Sequence, residues 1–211
     1  RVSRMLGVPV RVRDVFDAPT VRDLARRIQA ADIAGAGTAV ADRSTAPARP
    51  SNLPLSSAQR RMWFINQYEP AVASYIIPFA FRIRGTVEVE HLRRALADVV
   101  ARHEVLRTTY PVSRDGRPEQ RIHDVGPENP GFDWAVADSE SEALAVAAEP
   151  YDLTSDLPVR ARVYVDPGTS ALLAVSIHHI AADGWSLRPL VADLGLAYAA
   201  RCAGVSPSWA D

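Results

Sequence analysis

Ile177-His178-His179-Ile180-Ala181-Ala182-Asp183-Gly184-Trp185-Ser186 decides how this chain is read. It follows Ala171–Ile177, a short apolar run of the kind that forms a buried strand. Adjacent strand residues point to opposite faces, so His178 and His179 take different tasks. One faces a cavity, and the other is packed or hydrogen-bonded behind it. Asp183-Gly184 makes a tight turn at the end of the strand, where glycine lets a backbone N–H come close to a ligand. Two imidazoles, a carboxylate and a glycine so placed suit acyl transfer. An imidazole titrates near about 6.5 in peptides, which fits proton exchange near neutral pH.

Each of these residues also has a plainer reading. A lone histidine is most often structural, and Asp-Gly by itself is a turn, which it remains even in a functional loop. The company of the residues changes the odds. At frequencies of a few per cent per residue, His-His-x-x-x-Asp-Gly arises by chance in well under about one in a thousand chains of this length. A metal site at His178, His179 and Asp183 is the rival reading. Divergent neighbours on a strand argue against it, as does the lack of any other ligand cluster. The segment Arg102–Tyr110 taken alone is a solvated, positively charged helix end, favourable to the helix dipole. Met62, Trp63 and Phe64 taken alone are core residues.

The bulk composition excludes several classes. The chain has 211 residues, 24 basic and 25 acidic, for a net charge of −1. That balance favours neither nucleic acid nor an anionic membrane. Every basic residue is arginine, which reads as compositional bias together with the abundant alanine and valine. Cys202 stands alone, so no disulfide framework or thiolate metal site is expected, and it reads as a small packing residue. No apolar run approaches the roughly 18 residues needed to span a bilayer. The N-terminus lacks a signal-peptide layout, so the default expectation is a cytoplasmic protein.

Three zones follow along the chain. Residues 1–29 form a short helical unit, with Thr20 and Asp23 as a weak capping box and Val21, Leu24 and Ile28 on one face. That unit is too small to fold alone, which suggests a truncated domain. Residues 30–52 have the Ala, Gly and Pro content of a linker. From Leu53 to Asp211 the pattern is α/β. Ser56 and Gln59 form a capping box for a helix carrying Met62, Trp63 and Ile65. Ile77, Phe79, Phe81 and Ile83 alternate with smaller or polar residues, as in a half-buried strand ended by Gly85. Val89, Leu92, Leu96, Val99 and Val100 mark a helix reaching about His103. Val159–Val165 is a second alternating strand, ended by the turn Asp166-Pro167-Gly168. Leu187, Leu190, Val191 and Leu194 define a last helix, with Pro189 in its first turn and Gly204 beyond its end.

Three segments together resemble the condensation domains of non-ribosomal peptide synthetases. Ser57-Ala58-Gln59-Arg60-Arg61-Met62-Trp63 resembles that family's first signature, Arg102–Tyr110 its second and His178–Ser186 its third. Tyr151-Asp152-Leu153 and Leu157–Ala161 match the stretch between them. Residues 1–29 resemble the last part of a peptidyl carrier protein, through Val15-Phe16-Asp17-Ala18-Pro19-Thr20-Val21. Ile76 stands where many relatives have asparagine, and Tyr110 where phenylalanine is usual.

The resemblance implies a chloramphenicol acetyltransferase-like fold of α/β (α+β) class, with a mixed sheet and flanking helices after a short all-helical carrier remnant. It implies that residues 53–211 are the N-terminal lobe, because the family's domain is about twice as long and its tunnel runs between two lobes. The fragment alone is then expected to be inactive. The implied reaction is peptide-bond formation between a donor aminoacyl or peptidyl thioester and an acceptor aminoacyl thioester. Both arrive on phosphopantetheine arms, and the arm-bearing serine of the carrier remnant is placed upstream of Arg1. His179 is the implied base or positioner of the amine, His178 orients the motif, and the Gly184 N–H is placed to donate to the oxyanion. Asp183 is read as a structural anion paired with Arg107, and Trp185 as structural at the site. No metal is implied. The implied partners are donor and acceptor carrier domains, the C-terminal lobe and adenylation domains of the same synthetase, in antibiotic or siderophore biosynthesis. An epimerisation domain of the same fold is the nearest alternative, weighed below condensation because the Tyr75–Pro78 neighbourhood looks more like the latter. A non-catalytic recruitment or docking domain is the second; such relatives typically lose the second histidine or the glycine. A coenzyme A-dependent acetyltransferase is weaker, given the fused carrier-like segment and linker.

Overall fold

Thr20 opens the helix that follows it as its hydroxyl predicts: Oγ1 accepts the Asp23 N–H at 3.2 Å and donates to the Asp23 carboxylate at 2.6 Å. The structure, a computed structural model, describes residues 17, 18, 20–33, 53–70, 73, 75–167 and 170–209. Its contacts divide the chain into two units, Arg1–Arg49 and Pro50–Asp211. In the first unit, helix α1 spans Val21–Ile33 and so crosses the expected boundary at residue 29. Ala30 and Ala31 favour helix, and no breaker follows before Gly35. Val21 is exposed within its unit, while Leu24 and Ile28 are half-buried. Val15, Phe16 and Pro19 of the carrier-like piece, residues 34–52 of the linker and Gly168 of the turn lie outside the described residues.

In the second unit the strands and helices are β1 (Leu53–Pro54), α2 (Ser57–Tyr68), β2 (Ile76–Arg84), α3 (Val89–Arg102), β3 (Thr108–Thr109), β4 (Glu119–Ile122), β5 (Asp133–Val136), α4 (Glu140–Ala145), β6 (Val159–Asp166), β7 (Ser170–His178) and α5 (Leu187–Cys202). The expected capping box at α2 is present in both directions: the Gln59 N–H donates to Ser56 Oγ and the Ser56 N–H donates to Gln59 Oε1. Short 3-10 helices lie at Glu104–Arg107 and Val146–Ala148.

One sheet has the order β2-β7-β6-β5 and a smaller one the order β1-β4-β3. β7 pairs antiparallel with β2 and β6, while β5 runs parallel to β6, so the larger sheet is mixed. β2 is an edge strand, which is why Pro78 is tolerated within it. Alternation along β7 divides two cores. Ala171, Leu173, Val175 and Ile177 join residues of α3 and α5 in the main core. Leu172 and Ala174 turn the other way, against Ala137, Ala143 and Val146. With both faces covered, β7 is an almost unbroken apolar run.

The short strands β1, β4 and β5 and helix α4 carry no apolar period long enough to predict from sequence. Two further expectations need correcting. Val191 is exposed, whereas Leu194 is buried as expected, with Ala197 beside it in the core. Cys202 is exposed in the last turn of α5 rather than packed, because the neighbouring Arg201 occupies the side facing α3.

That arginine makes a bidentate pair with the largely buried Asp98 of α3: Nε and Nη2 donate to the two carboxylate oxygens at 2.7 Å each. Asp98 raises the guanidinium pKa. Removing one partner of such a pair leaves an uncompensated charge in a nearly dry contact. Asp98→Ala is therefore expected to lower unfolding free energy by about 3 kcal/mol in urea titrations, and Asp98→Ala combined with Arg201→Met to recover part of it. Equal losses in the single and double variants would contradict this.

Candidate active site

β7 ends on His178, whose Cα faces Ile76 of β2 across the ladder. Strand alternation turns its ring away from the main core and toward Tyr151 and Ile180. The ring is only 2% exposed. Its Nδ1 accepts the Ile180 N–H at 3.1 Å, and the Tyr151 ring meets it edge-on at 5.8 Å and 80°. Tyr151 is fixed in turn: its hydroxyl donates to the Ser176 carbonyl at 2.8 Å, and its own carbonyl accepts from Asn66 Nδ2 at 2.8 Å. Burial, aided by the neighbouring His179, lowers the pKa of His178 to about 4. His178 is thus a neutral ring that uses one nitrogen to hold the following turn.

His179 points elsewhere. Its side chain is exposed, and its N–H donates to the Tyr75 carbonyl at 2.7 Å. Among the described residues its imidazole has no hydrogen-bond partner.

The loop beyond is held by Asp183. Its Oδ1 accepts the Trp185 and Ser186 N–H groups at 3.0 and 2.9 Å and the Ser186 hydroxyl at 2.7 Å. Those bonds, the Ser186 hydroxyl first, hold the exposed carboxyl below the usual range, with a smaller contribution from His179. The expected pairing with Arg107 is absent. Arg107 donates to the Ala101 and His123 carbonyls at 3.1 and 2.6 Å and lies 3.5 Å from Glu104. Asp183 is satisfied by its own turn and sits in water, so it needs no distant cation. Trp185 is 87% exposed, so its ring packs nothing at the site within this chain.

Gly184 is exposed, and its N–H has no partner among the described residues. A Cβ built there meets nothing within 4 Å, and its backbone is not left-handed. Neither crowding nor chain geometry among the described residues calls for glycine. The open N–H is what the position offers.

Behind the loop lies a cavity of about 190 Å³, lined by Val105, Leu106, Ile177, Ala181, Ala182, Leu187 and Leu190 among others. His103 stands on its wall, its Nε2 2.8 Å from Asp193. His179 is not among the lining residues. Tyr151, Ser176 and Asn66 were legible as sequence but gave no sign of bracing His178, because they lie 25 to 87 residues apart along the chain from the groups they hold. Among the described residues no three His, Cys, Asp or Glu side chains are grouped to hold a metal ion, and no helix is long and apolar enough to cross a membrane.

Residues 50–208 match the family described as Condensation domain. The chain is 43% identical over 99% of its length to a probable non-canonical nonribosomal peptide synthetase of Salinispora arenicola, and 39% identical over its full length to a dimodular nonribosomal peptide synthase of Bacillus subtilis. It spans only 3% and 9% of those proteins. Among solved structures it resembles the X-domain from teicoplanin biosynthesis, with TM-score 0.67 and 35% identity over 78% of this chain and 36% of that one. The starter condensation domain of rhizomide synthetase shares the fold at TM-score 0.66 and 24% identity, over 77% of this chain and 40% of that one.

The state of His178 makes stability depend on pH. An unfolded histidine binds a proton below about 6.5, whereas the folded ring does so only near 4. Its contribution is complete above that unfolded value and is lost as pH falls through the window, up to about 3 kcal/mol. Thermal unfolding at pH 7.5 and 4.5 is expected to show a smaller acid loss in His178→Gln than in the unaltered chain. Identical acid losses would contradict a neutral buried ring.

Proposed function

This chain belongs to the condensation-domain family, and from that premise we propose that it supplies the histidine-bearing part of an amide-forming acyltransferase in a nonribosomal peptide synthetase. In the reaction, the acceptor α-amine attacks the carbonyl carbon of the donor thioester. The C–N bond forms, the C–S bond breaks, the nitrogen gives up a proton and the donor's thiol is released. His179 receives that proton or holds the amine on its line of attack. An α-amine with pKa about 8 is already partly neutral near pH 7, so placement carries much of the effect. The Gly184 N–H donates to the developing oxyanion. His178 stays neutral and holds the turn, while Asp183 keeps the loop's shape.

The observation that carries this reading is the divergence of the two imidazoles at the end of β7, one buried and braced, the other exposed. An open ring and an open backbone N–H on one exposed loop are what an incoming tethered substrate requires. The donor and acceptor ride on phosphopantetheine arms of carrier domains, and this chain is not asked to hold an arm covalently. Residues 1–29, with the helix that runs on to Ile33, are the end of one such carrier, the rest of 30–52 is the linker and 53–211 one lobe, with a second lobe closing the tunnel. Adenylation domains load the carriers, and the assembly works in the cytoplasm, making a peptide of the antibiotic or siderophore kind.

The alternative is a non-catalytic recruitment or docking role on the same fold. Such a role asks nothing of the imidazole, whereas both His179 and Gly184 are present here. His179→Ala in the parent synthetase separates the two. Peptide formation on loaded carriers is expected to fall by at least about 100-fold with the fold unchanged, and near-normal turnover would remove His179 from the chemistry.

A further inference from the structure

Tyr75 is the one non-glycine residue with positive φ among the described residues, at 64°. A side chain disfavours that conformation, and such outliers persist only where their surroundings fix them. Here the surroundings are legible. Tyr75 directly precedes β2, whose first pair is Ile76 with His178. Its carbonyl accepts the His179 N–H at 2.7 Å, which carries the ladder one step beyond the strands. From this left-handed backbone the Tyr75 carbonyl reaches the His179 N–H. The imidazole itself has no hydrogen-bond partner among the described residues. Its aim is therefore set by its backbone, and that backbone is tied on one side to Tyr75 and on the other to the turn held by His178.

We infer that Tyr75 is a positioning residue for His179, acting through its left-handed backbone rather than its ring. The inference rests on the assignment of His179 as the catalytic imidazole. The phenol is 39% exposed and forms no hydrogen bond among the described residues. The carbonyl is what reaches the site.

The test is steady-state condensation by the parent synthetase carrying Tyr75→Val, Tyr75→Gly or Tyr75→Asn, with His179→Ala alongside. Valine resists the left-handed region, whereas glycine and asparagine enter it readily. Tyr75→Val is expected to lower kcat by roughly 10- to 100-fold with KM for both loaded carriers within about 2-fold, since orientation and not binding is lost. The Gly and Asn variants, which conserve the backbone, are expected to restore kcat to within about 3-fold. Hydrogen exchange at the His179 amide is expected to quicken in the Val variant alone. Equal loss of kcat in all three variants would assign the role to the ring and overturn the proposal, as would an unchanged Val variant. If Tyr75→Val does not fold, Gly and Asn decide: lost kcat with a protected His179 amide overturns the proposal, and retained kcat with that protection supports it. Normal turnover by His179→Ala overturns the assignment beneath it, a result distinct from an active Val variant beside an inert His179→Ala.

Discussion

The pairing of β7 with both of its neighbours governs the rest of the molecule. Nine consecutive pairs with β2 and eight with β6 leave the strand no freedom to slip. A slip of one residue would exchange every side chain between the two faces. It would drive Leu173, Val175 and Ile177 out of the α3–α5 core and bring His178 round to face that core. Core packing therefore dictates which histidine is buried and which is exposed, through the register rather than through any property of the rings.

The strand hands its order on to an exposed loop by short local bonds. His178 takes the Ile180 N–H, and Asp183 takes those of Trp185 and Ser186. Tyr75 meets the N–H between them. This is a rigid scaffold presenting a polar loop, the usual arrangement for a site built at the end of a sheet. His179, Gly184 and Trp185 are exposed together on that loop.

Much of this was legible in the sequence because the signals were local and periodic. The Ser56–Gln59 box, the alternation through Phe79 and Phe81 and the run before His178 are each decided within a few residues. What was missed depends on distant partners. The brace of Tyr151 and Asn66 on the far side of His178 joins segments that no spacing connects. The supposed Asp183–Arg107 pair failed for the opposite reason: a nearby serine and two backbone N–H groups satisfied the carboxylate before any remote cation was needed. The left-handed backbone at Tyr75 had no signal at all, since tyrosine is an unusual residue for it.

The account stands on His179 meeting the reacting nitrogen. A crystal structure of the parent domain with an amide-linked mimic of the joined donor and acceptor measures this directly. A ring nitrogen of His179 is expected within about 3 Å of the amide nitrogen, or one water away. A mimic bound with that nitrogen out of reach of the ring, and with His178 or no histidine beside it, would contradict the account.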